Sequence, residues 1–121
     1  MMAIRRFEDI QAWQKARQLT DAIYRYSNKS DFARDFRFRD QIRSAAVSVM
    51  ANIAEGYDSD ADADFIRFLS YARRSVTEVQ SHLYVALDQG YLTQQQFNEL
   101  FELATTTRNL ISGFIRYLRQ S

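Results

Sequence analysis

Grouped arginines are the side chains in this sequence best suited to binding another molecule. Arg37, Arg39 and Arg43 follow one another closely and are interleaved with phenylalanines. A guanidinium is planar and donates paired hydrogen bonds that match the oxygens of a phosphate. Arg39 could instead pair with Asp35, but Asp35 and Asp40 together cannot neutralise all three arginines. The group therefore predicts a phosphate-contacting surface.

A second group lies farther along the chain, where Arg67 and Arg74 flank Tyr71 at spacings of four and three residues. These spacings place the three side chains on one face of a helix. An aromatic ring between two guanidiniums could stack an unpaired base. The alternative is a solvated face on which Arg74 pairs with Glu78, four residues on. We interpret both groups as a surface that binds nucleic acid through its backbone, without reading its sequence.

A stripe of polar residues runs along the predicted second helix at spacings of three and four residues: Gln41, Ser44, Ser48, Asn52 and Glu55. At about 100° per residue, the five positions fall within about 80° of arc. The stripe has two interpretations. It is either the solvent face of the helix or a polar seam between subunits, where hydrogen bonds would set the register.

The usual signatures of catalysis and of metal or cofactor binding are missing from the sequence. There are no cysteines and one histidine, His82, with Glu78 as its carboxylate neighbour at helical spacing. Carboxylate-bridged di-metal bundles need several glutamates and a Glu-x-x-His motif from each of two helices. The aspartate run at 58–64 is similar to a calcium loop, but Ala63 and Leu69 stand where an EF-hand has glycine and glutamate. We expect no metal, no cofactor and no enzymatic activity.

Composition and periodicity predict the elements that position these residues. The sequence has 121 residues, 46% of them hydrophobic, with no proline and three glycines. Such a chain suits long helices rather than the many tight turns of a β-rich protein. Apolar residues at spacings of three and four predict helices at about 9–28, 38–57, 60–89 and 93–120. We expect a single all-α domain over residues 1–121, folded as an antiparallel up-down four-helix bundle.

Local signals mark where the predicted helices begin and end. Asp9 is the expected N-cap of the first helix, and residues 31–37 are expected to form a linker. Gly90 suits the left-handed position that follows a helix. Thr93 and Gln96 then form a capping-box pattern at the start of the fourth helix.

The predicted second helix is apolar on nearly every side except along its polar stripe. A helix of that kind must be surrounded by protein on most sides. We therefore expect it to be the most buried helix, with Ile42, Ala46, Val49 and Ile53 facing the core.

Further apolar residues lie outside the predicted core faces. They are Ile66, Tyr71, Tyr84 and Val85 on the third helix, and Val47, Met50 and Ala51 on the second. A lone bundle cannot bury both sets, and exposed apolar patches of this kind commonly mark interfaces. We expect a homo-oligomer.

The start of the chain and its charge bear on location and partners. No apolar stretch of signal-peptide length opens the sequence, and no run of about 18 apolar residues occurs in it. We expect a cytoplasmic protein without a membrane partner. The net charge of +1 gives little overall attraction for nucleic acid, so binding would depend on local segregation of charge.

Five segments together carry a resemblance to a known family. They are DQIRSAAVS at 40–48, NIAEG at 52–56, FIRFL at 65–69, and the stretches 10–16 and 86–92. In these segments the chain resembles the four-helix-bundle family of 23S ribosomal RNA intervening-sequence proteins. The resemblance extends over about residues 7–118.

The resemblance implies a bacterial bundle, of a kind often encoded within inserted segments of ribosomal RNA genes. Relatives in the family act as accessory proteins to the reverse transcriptases of diversity-generating retroelements, and they form pentameric rings with basic surfaces. By this resemblance we expect a homopentamer whose partner is RNA or a nucleoprotein.

Two positions depart from the family pattern. The family usually carries a proline where Met50 stands, and its loss should straighten the second helix and restore a backbone donor. The loop before the third helix is typically basic in the family, whereas residues 58–64 read DSDADAD. Four aspartates repel phosphates, so this end of the bundle is a poor nucleic-acid surface.

The sequence therefore favours a non-enzymatic oligomeric bundle that associates with RNA or a nucleoprotein through its arginine-rich surface. The alternative is a protein–protein scaffold or accessory subunit with no direct nucleic-acid role. A third interpretation is a small-molecule-binding bundle or enzyme that uses the region of Asn52 and Glu55. A positive face would favour the first, large apolar patches the second, and a deep pocket with convergent carboxylates the third.

Overall fold

Five α-helices make up most of the structure, a computed structural model that describes residues 3–120. They are α1 (Gln11–Ser27), α2 (Ser30–Arg34), α3 (Phe36–Tyr57), α4 (Asp62–Asp88) and α5 (Gln94–Gln120), after a 3-10 turn at Phe7–Asp9. Helix α3 packs on α4, α4 packs on α5, and α1 packs on both α3 and α5. The four long helices thus form a bundle, and residues 3–120 contain no strand. The predicted all-α class and helical bundle are confirmed.

Helix α1 begins later than predicted and without the expected N-cap. Its N-cap residue is Ile10, which makes no side-chain capping bond and is buried. Asp9 lies in the preceding 3-10 turn, where its carboxylate accepts a hydrogen bond from the Arg5 backbone N–H at 3.0 Å. This bond lowers the pKa of Asp9 below its ordinary value because it favours the ionised carboxylate. Burial of Ile10, rather than a polar cap, therefore fixes the start of α1.

The predicted linker at 31–37 is instead largely helical. Helix α2 occupies Ser30–Arg34, and α3 begins at Phe36 after a single residue, Asp35. The cause is tertiary, because Phe32 is buried and its ring stacks on those of Phe38 and Tyr91. Asp35 then caps α3 by accepting a hydrogen bond from the Phe38 N–H at 3.3 Å.

Helix α3 presents the predicted face to the core. Ile42, Ala46, Val49 and Ile53 are all fully buried. The stronger expectation, that this is the most buried helix, is wrong: α3 has six buried residues among 22, whereas α1 has seven among 17. The difference arises because the outer side of α3 stays open, with Val47 44% exposed. The helix runs unbroken through Met50, the position of the family's proline.

Helices α3 and α4 approach each other closely at Gly56, near the end of α3. A Cβ atom at Gly56 would lie 2.8 Å from Cδ1 of Phe65 and 2.9 Å from Cβ of Phe68. Real Cβ atoms do not approach other atoms so closely. Glycine at this position therefore lets the start of α4 pack directly against the backbone of α3.

The turn between α4 and α5 contains both predicted signals. Gly90 has a positive φ of 74°, and its N–H donates to the Leu87 carbonyl while the Tyr91 N–H donates to that of Ala86. This pair of bonds is a Schellman motif. Thr93 and Gln96 form the predicted capping box, in which each backbone N–H donates to the other's side-chain oxygen. Local sequence thus defines this turn completely.

Candidate functional site

The first arginine group lies at the start of α3, and its members differ in their contacts. Arg39 pairs with Asp40, with Nε 3.0 Å from Oδ1, and its Nη1 donates to the Ala33 carbonyl at 3.1 Å. Arg37 is exposed and forms no ion pair with any other residue in 3–120. Of these two arginines, only Arg37 is therefore free to contact a ligand without breaking an existing bond.

Asp35 does not form the ion pair with Arg39 that the sequence suggested. One carboxylate oxygen caps α3, and the other accepts a hydrogen bond from the Tyr91 hydroxyl at 2.7 Å. This bond raises the pKa of Tyr91 above its ordinary value, because it favours the protonated phenol. Asp35 therefore joins the α2–α3 corner to the turn between α4 and α5.

Arg43, the third member, reaches across the bundle to α1. Its Nε donates to the Ser27 hydroxyl at 2.8 Å, and its guanidinium carbon lies 4.5 Å from the centre of the Tyr24 ring. The side chain is half-buried. Arg43 thus links α3 to α1.

The second arginine group has the arrangement that its spacing predicts. The guanidinium carbons of Arg67 and Arg74 lie 5.9 and 5.8 Å from the centre of the Tyr71 ring, which is 37% exposed. Arg67 also pairs with Asp64 at 3.2 Å, and hydrogen bonding to Tyr71 and then Asp64 raises its pKa above the ordinary value. Arg74 forms no ion pair within residues 3–120, since Glu78 lies against His82 at 3.4 Å instead.

The two arginine groups lie toward opposite ends of the α3–α4 pair. Phe38, beside the first group, contacts His82 near the end of α4, with ring centres 5.6 Å apart. Gly56, at the other end of α3, lies against Phe68, beside the second group. The structure therefore offers two separate basic patches rather than one continuous surface.

The polar stripe of α3 divides into a seam and an exposed part. Ser48 is half-buried, with its hydroxyl 3.0 Å from that of Ser75 on α4. The Asn52 side chain donates to the carbonyl and the hydroxyl of Ser48, at 2.9 and 3.0 Å. Gln41, Ser44 and Glu55 are exposed. The seam therefore joins α3 to α4 within one chain.

Two further kinds of site are absent from the described part of the chain. Across residues 3–120, no three His, Cys, Asp or Glu side chains come together as potential metal ligands. Over the same residues, no helix combines the length and the apolar character that crossing a bilayer requires.

An apolar groove of about 660 Å³ opens between the start of α1 and the end of α5. Its lining includes Ile4, Ile10, Leu110, Phe114 and Tyr117. Neither Asn52 nor Glu55, around which the sequence suggested a small-molecule site, lines this groove. Glu55 lines a separate, smaller groove of about 410 Å³ beside Glu8 and Asp58. The lining of the apolar groove contains a single carboxylate, that of Asp9, and so no group of convergent carboxylates.

Two aromatic–arginine contacts on α1 were not predicted from the sequence. The guanidinium carbon of Arg17 lies 5.8 Å from the centre of the Trp13 ring, and Arg43 covers Tyr24 as described above. A polar groove of about 690 Å³ opens beside Trp13 and Arg17. The available signal was their spacing, because Trp13, Arg17 and Tyr24 stand four and seven residues apart and so share one helix face.

Comparison with known proteins agrees with this architecture. One similar solved structure is the crystal structure of a protein with unknown function from the S23 ribosomal protein family of Bacteroides thetaiotaomicron VPI-5482. It matches with a TM-score of 0.80 and 24% identity over 87% of this chain and 95% of the other. At that identity, the likeness shows a shared fold. No curated protein sequence matches the chain.

The resemblance read from the sequence is confirmed by a match that covers most of the chain. Residues 8–113 match the family described as 23S rRNA-intervening sequence protein. This match includes α1 to α4, most of α5, the Arg67–Tyr71–Arg74 patch and the Gly56 contact. The chain therefore belongs to the 23S rRNA-intervening sequence protein family.

Proposed function

We propose that this protein is a non-enzymatic, oligomeric helical bundle of the cytoplasm that binds RNA, alone or within a nucleoprotein, through its arginine-rich surface. The observation that carries the proposal is the contact of two arginines, Arg67 and Arg74, with the ring of Tyr71. An exposed ring between two cations offers a base a stacking platform and offers the adjoining phosphates two guanidiniums. Such a site makes no hydrogen bonds to base edges and therefore binds without sequence preference.

The charge distribution supports contact with phosphates at this patch despite the small net charge. Arg74 and Arg37 have no carboxylate partner within residues 3–120. The exposed aspartates nearest to this patch in the sequence lie in the loop before α4, at Asp58 and Asp60, and at the first residue of α4, Asp62. None of them forms an ion pair with Arg74. Local basic patches of this kind attract a polyanion at short range, since charges farther apart than about 10 Å are largely screened by salt.

Association between copies would strengthen this weak attraction. Val85 on α4 and Val47 on α3 are apolar side chains that remain 42 and 44% exposed, whereas Tyr84 packs on Phe97 and Phe101 of its own chain. Burial of such residues between copies is the usual outcome. We propose a closed ring, with five copies as the family-based number. Each copy would repeat the patch, and the combined avidity would exceed the affinity of one patch.

A binding assay with matched variants tests the proposal. Fluorescence anisotropy of a labelled single-stranded RNA would be measured against the wild type, an Arg67→Gln/Arg74→Gln variant and Arg34→Gln as control. The Arg34 side chain is 78% exposed, pairs with Asp31 at 2.9 Å and lies over no aromatic ring of residues 3–120. We expect the double variant to bind about tenfold more weakly and the control to bind like the wild type. Equal affinity for all three proteins would contradict the proposal.

The scaffold interpretation is favoured by a different observation, the apolar groove between α1 and α5. A groove lined mainly by Ile4, Ile10, Leu110 and Phe114 suits an apolar protein segment better than a polyanion. The same assay separates the two functions, because a pure scaffold would not bind RNA even at low salt.

A further inference from the structure

A row of side chains lies on the side of α1 that is next to α3. Trp13, Arg17, Thr20 and Tyr24 stand at successive spacings of four, three and four residues, which place them on one helix face. The Thr20 hydroxyl lies 3.3 Å from the Ala46 carbonyl of α3, and this contact turns the face toward α3. The row is thus part of a surface shared by the two helices, which we call the α1–α3 face.

Each end of the α1–α3 face carries an arginine packed on an aromatic ring. At one end Arg17 lies over Trp13 at 5.8 Å, and at the other Arg43 lies over Tyr24 at 4.5 Å. Trp13 and Tyr24 are eleven residues apart on one helix, which corresponds to about 16 Å along its axis. Both pairs therefore lie on the same side of the molecule, at a separation longer than a single nucleotide.

Neither of these two arginines is neutralised. Arg17 and Arg43 form no ion pair within residues 3–120. Asp21, which lies between the two pairs along α1, is bound to Arg25 at 3.2 Å. The unneutralised charges of the α1–α3 face are thus the two guanidiniums that lie on rings, together with Glu8 beside the Trp13 end.

A guanidinium that lies on an aromatic ring is positioned to bind a nucleotide through its base and its phosphate. Its outer face can stack a flat base, and its in-plane N–H groups can donate to phosphate oxygens. The two arginine–aromatic pairs lie about 16 Å apart along α1. A stacked strand rises about 3.4 Å per nucleotide, so this distance corresponds to several nucleotides. The face therefore matches a strand several nucleotides long with accessible bases, rather than a mononucleotide or a duplex with its bases paired.

We propose that the α1–α3 face binds a single-stranded RNA segment whose unpaired bases stack at the Trp13–Arg17 and Tyr24–Arg43 pairs. This inference rests on the proposed RNA association, but it assigns a second surface, formed by α1 and α3, whereas Arg67, Tyr71 and Arg74 lie on α4. It also names the chemical form of the ligand, an unpaired strand.

Trp13 provides the direct readout, because it is the only tryptophan in the chain. Its fluorescence would be recorded while single-stranded RNA, duplex RNA of the same length and inorganic polyphosphate are added separately. We expect quenching by the single strand, because a stacked base contacts the indole–guanidinium pair. Duplex RNA and polyphosphate should leave the emission nearly unchanged even where they bind. Equal quenching by the duplex would overturn the assignment of an unpaired strand.

Two variants test the stacking itself. Tyr24→Leu removes the ring but keeps an apolar side chain at a position that is 41% exposed, so the fold should be preserved. It should weaken single-strand binding at least about fivefold, the lower end of the effect of losing one base–aromatic stack. Arg17→Lys keeps the positive charge but removes the planar guanidinium on which a base could stack. It should therefore reduce the quenching of Trp13 fluorescence without changing the salt dependence of binding. Tyr84→Leu is the matched control, an exposed tyrosine that packs on Phe97 and Phe101 and has no arginine over its ring.

The outcomes separate this inference from the proposed function. If RNA binds but Trp13 is unaffected and Tyr24→Leu behaves like Tyr84→Leu, the α1–α3 face is not the site and the proposed function stands. If no RNA binds to the wild type, both fail. Circular dichroism of Tyr24→Leu establishes that it is folded, and Arg17→Lys supplies an independent test at an exposed residue.

Discussion

The hydroxyl of Ser48 on α3 lies 3.0 Å from the hydroxyl of Ser75 on α4. This bond, together with the contacts of Asn52 on Ser48, satisfies the polar groups inside the α3–α4 seam. Farther along the same seam, Gly56 lets α4 approach the backbone of α3. The pair of helices is thus held in one register by a hydrogen-bonded contact and a steric one, and this register positions Tyr71 and its arginines on the outer face.

The close approach at Gly56 can be tested with a pair of glycine substitutions. Gly56→Ala should lower the free energy of unfolding by about 1–3 kcal/mol, because the new methyl group would overlap Phe65 and the Cβ of Phe68. Gly113→Ala should raise it by about 0.5–1 kcal/mol, since this glycine lies within α5 and its nearest neighbour would be Arg116 at 3.7 Å. Urea denaturation measures both. Destabilisation of similar size in both variants would contradict the account of the seam.

The core face of α3 can be tested in the same way. Ile53 is fully buried, so Ile53→Ala should cost about 2–5 kcal/mol through lost burial and the cavity left behind. Ser44→Ala, at an exposed position of the same helix, should change the free energy of unfolding by no more than about 0.5 kcal/mol. A near-zero loss for Ile53→Ala would mean that the core lies on another face of α3.

Two tyrosines should make the fold sensitive to high pH. The hydroxyls of Tyr26 and Tyr91 donate to Glu99 and Asp35, at 2.6 and 2.7 Å, and these bonds raise both pKa values above the ordinary 10.0. The folded state therefore holds these protons more tightly than the unfolded state does. Their contribution to stability is complete below about pH 10 and is lost as the pH rises through the folded-state pKa values.

Phenylalanine variants isolate this effect. The free energy of unfolding of the wild type should fall as the pH rises above about 10, and the fall should be smaller in a Tyr26→Phe/Tyr91→Phe variant. Tyr84→Phe serves as control, because its hydroxyl makes no hydrogen bond to another residue in 3–120. An identical pH profile for the wild type and the double variant would contradict the prediction.

The proposed oligomer has a simple physical readout. Light scattering on a purified sample should give a mass that is a multiple of the 14.2 kDa chain, with five copies the family-based number. Val47→Lys/Val85→Lys should lower that mass, because charges would replace exposed apolar side chains that we expect to lie between copies. A wild-type mass of one chain in dilute solution would refute the oligomer.

The fold could be predicted from the sequence where its determinants are local. Gly90, Thr93 and Gln96 define a turn within a few residues, and the core faces follow from helical spacing. The start of α1 and the existence of α2 could not be predicted in this way. Both depend on burial against distant parts of the chain, as the stacking of Phe32 on Tyr91 illustrates.

In the candidate site, too, only the contacts between residues close in the sequence could be predicted. Tyr71 and its two arginines share one helix, so their spacing alone predicted their contact. The contacts of Arg39 with Ala33 and of Arg43 with Ser27 and Tyr24 were not predictable, because these partners belong to other helices. These contacts depend on how α1, α2 and α3 meet, which no local pattern specifies.

Salt dependence provides the most direct test of the central claim, that arginines of this bundle bind the RNA backbone. Binding of single-stranded RNA would be titrated from about 50 mM salt upward, since charge–phosphate contacts are strongest at low ionic strength. Engagement of Arg37, Arg67 and Arg74 with one phosphate each predicts a slope of log affinity against log salt of about −2 or steeper. The Arg67→Gln/Arg74→Gln variant should flatten that slope. No binding at about 50 mM salt, or an affinity that salt leaves unchanged, would contradict the claim and favour the scaffold.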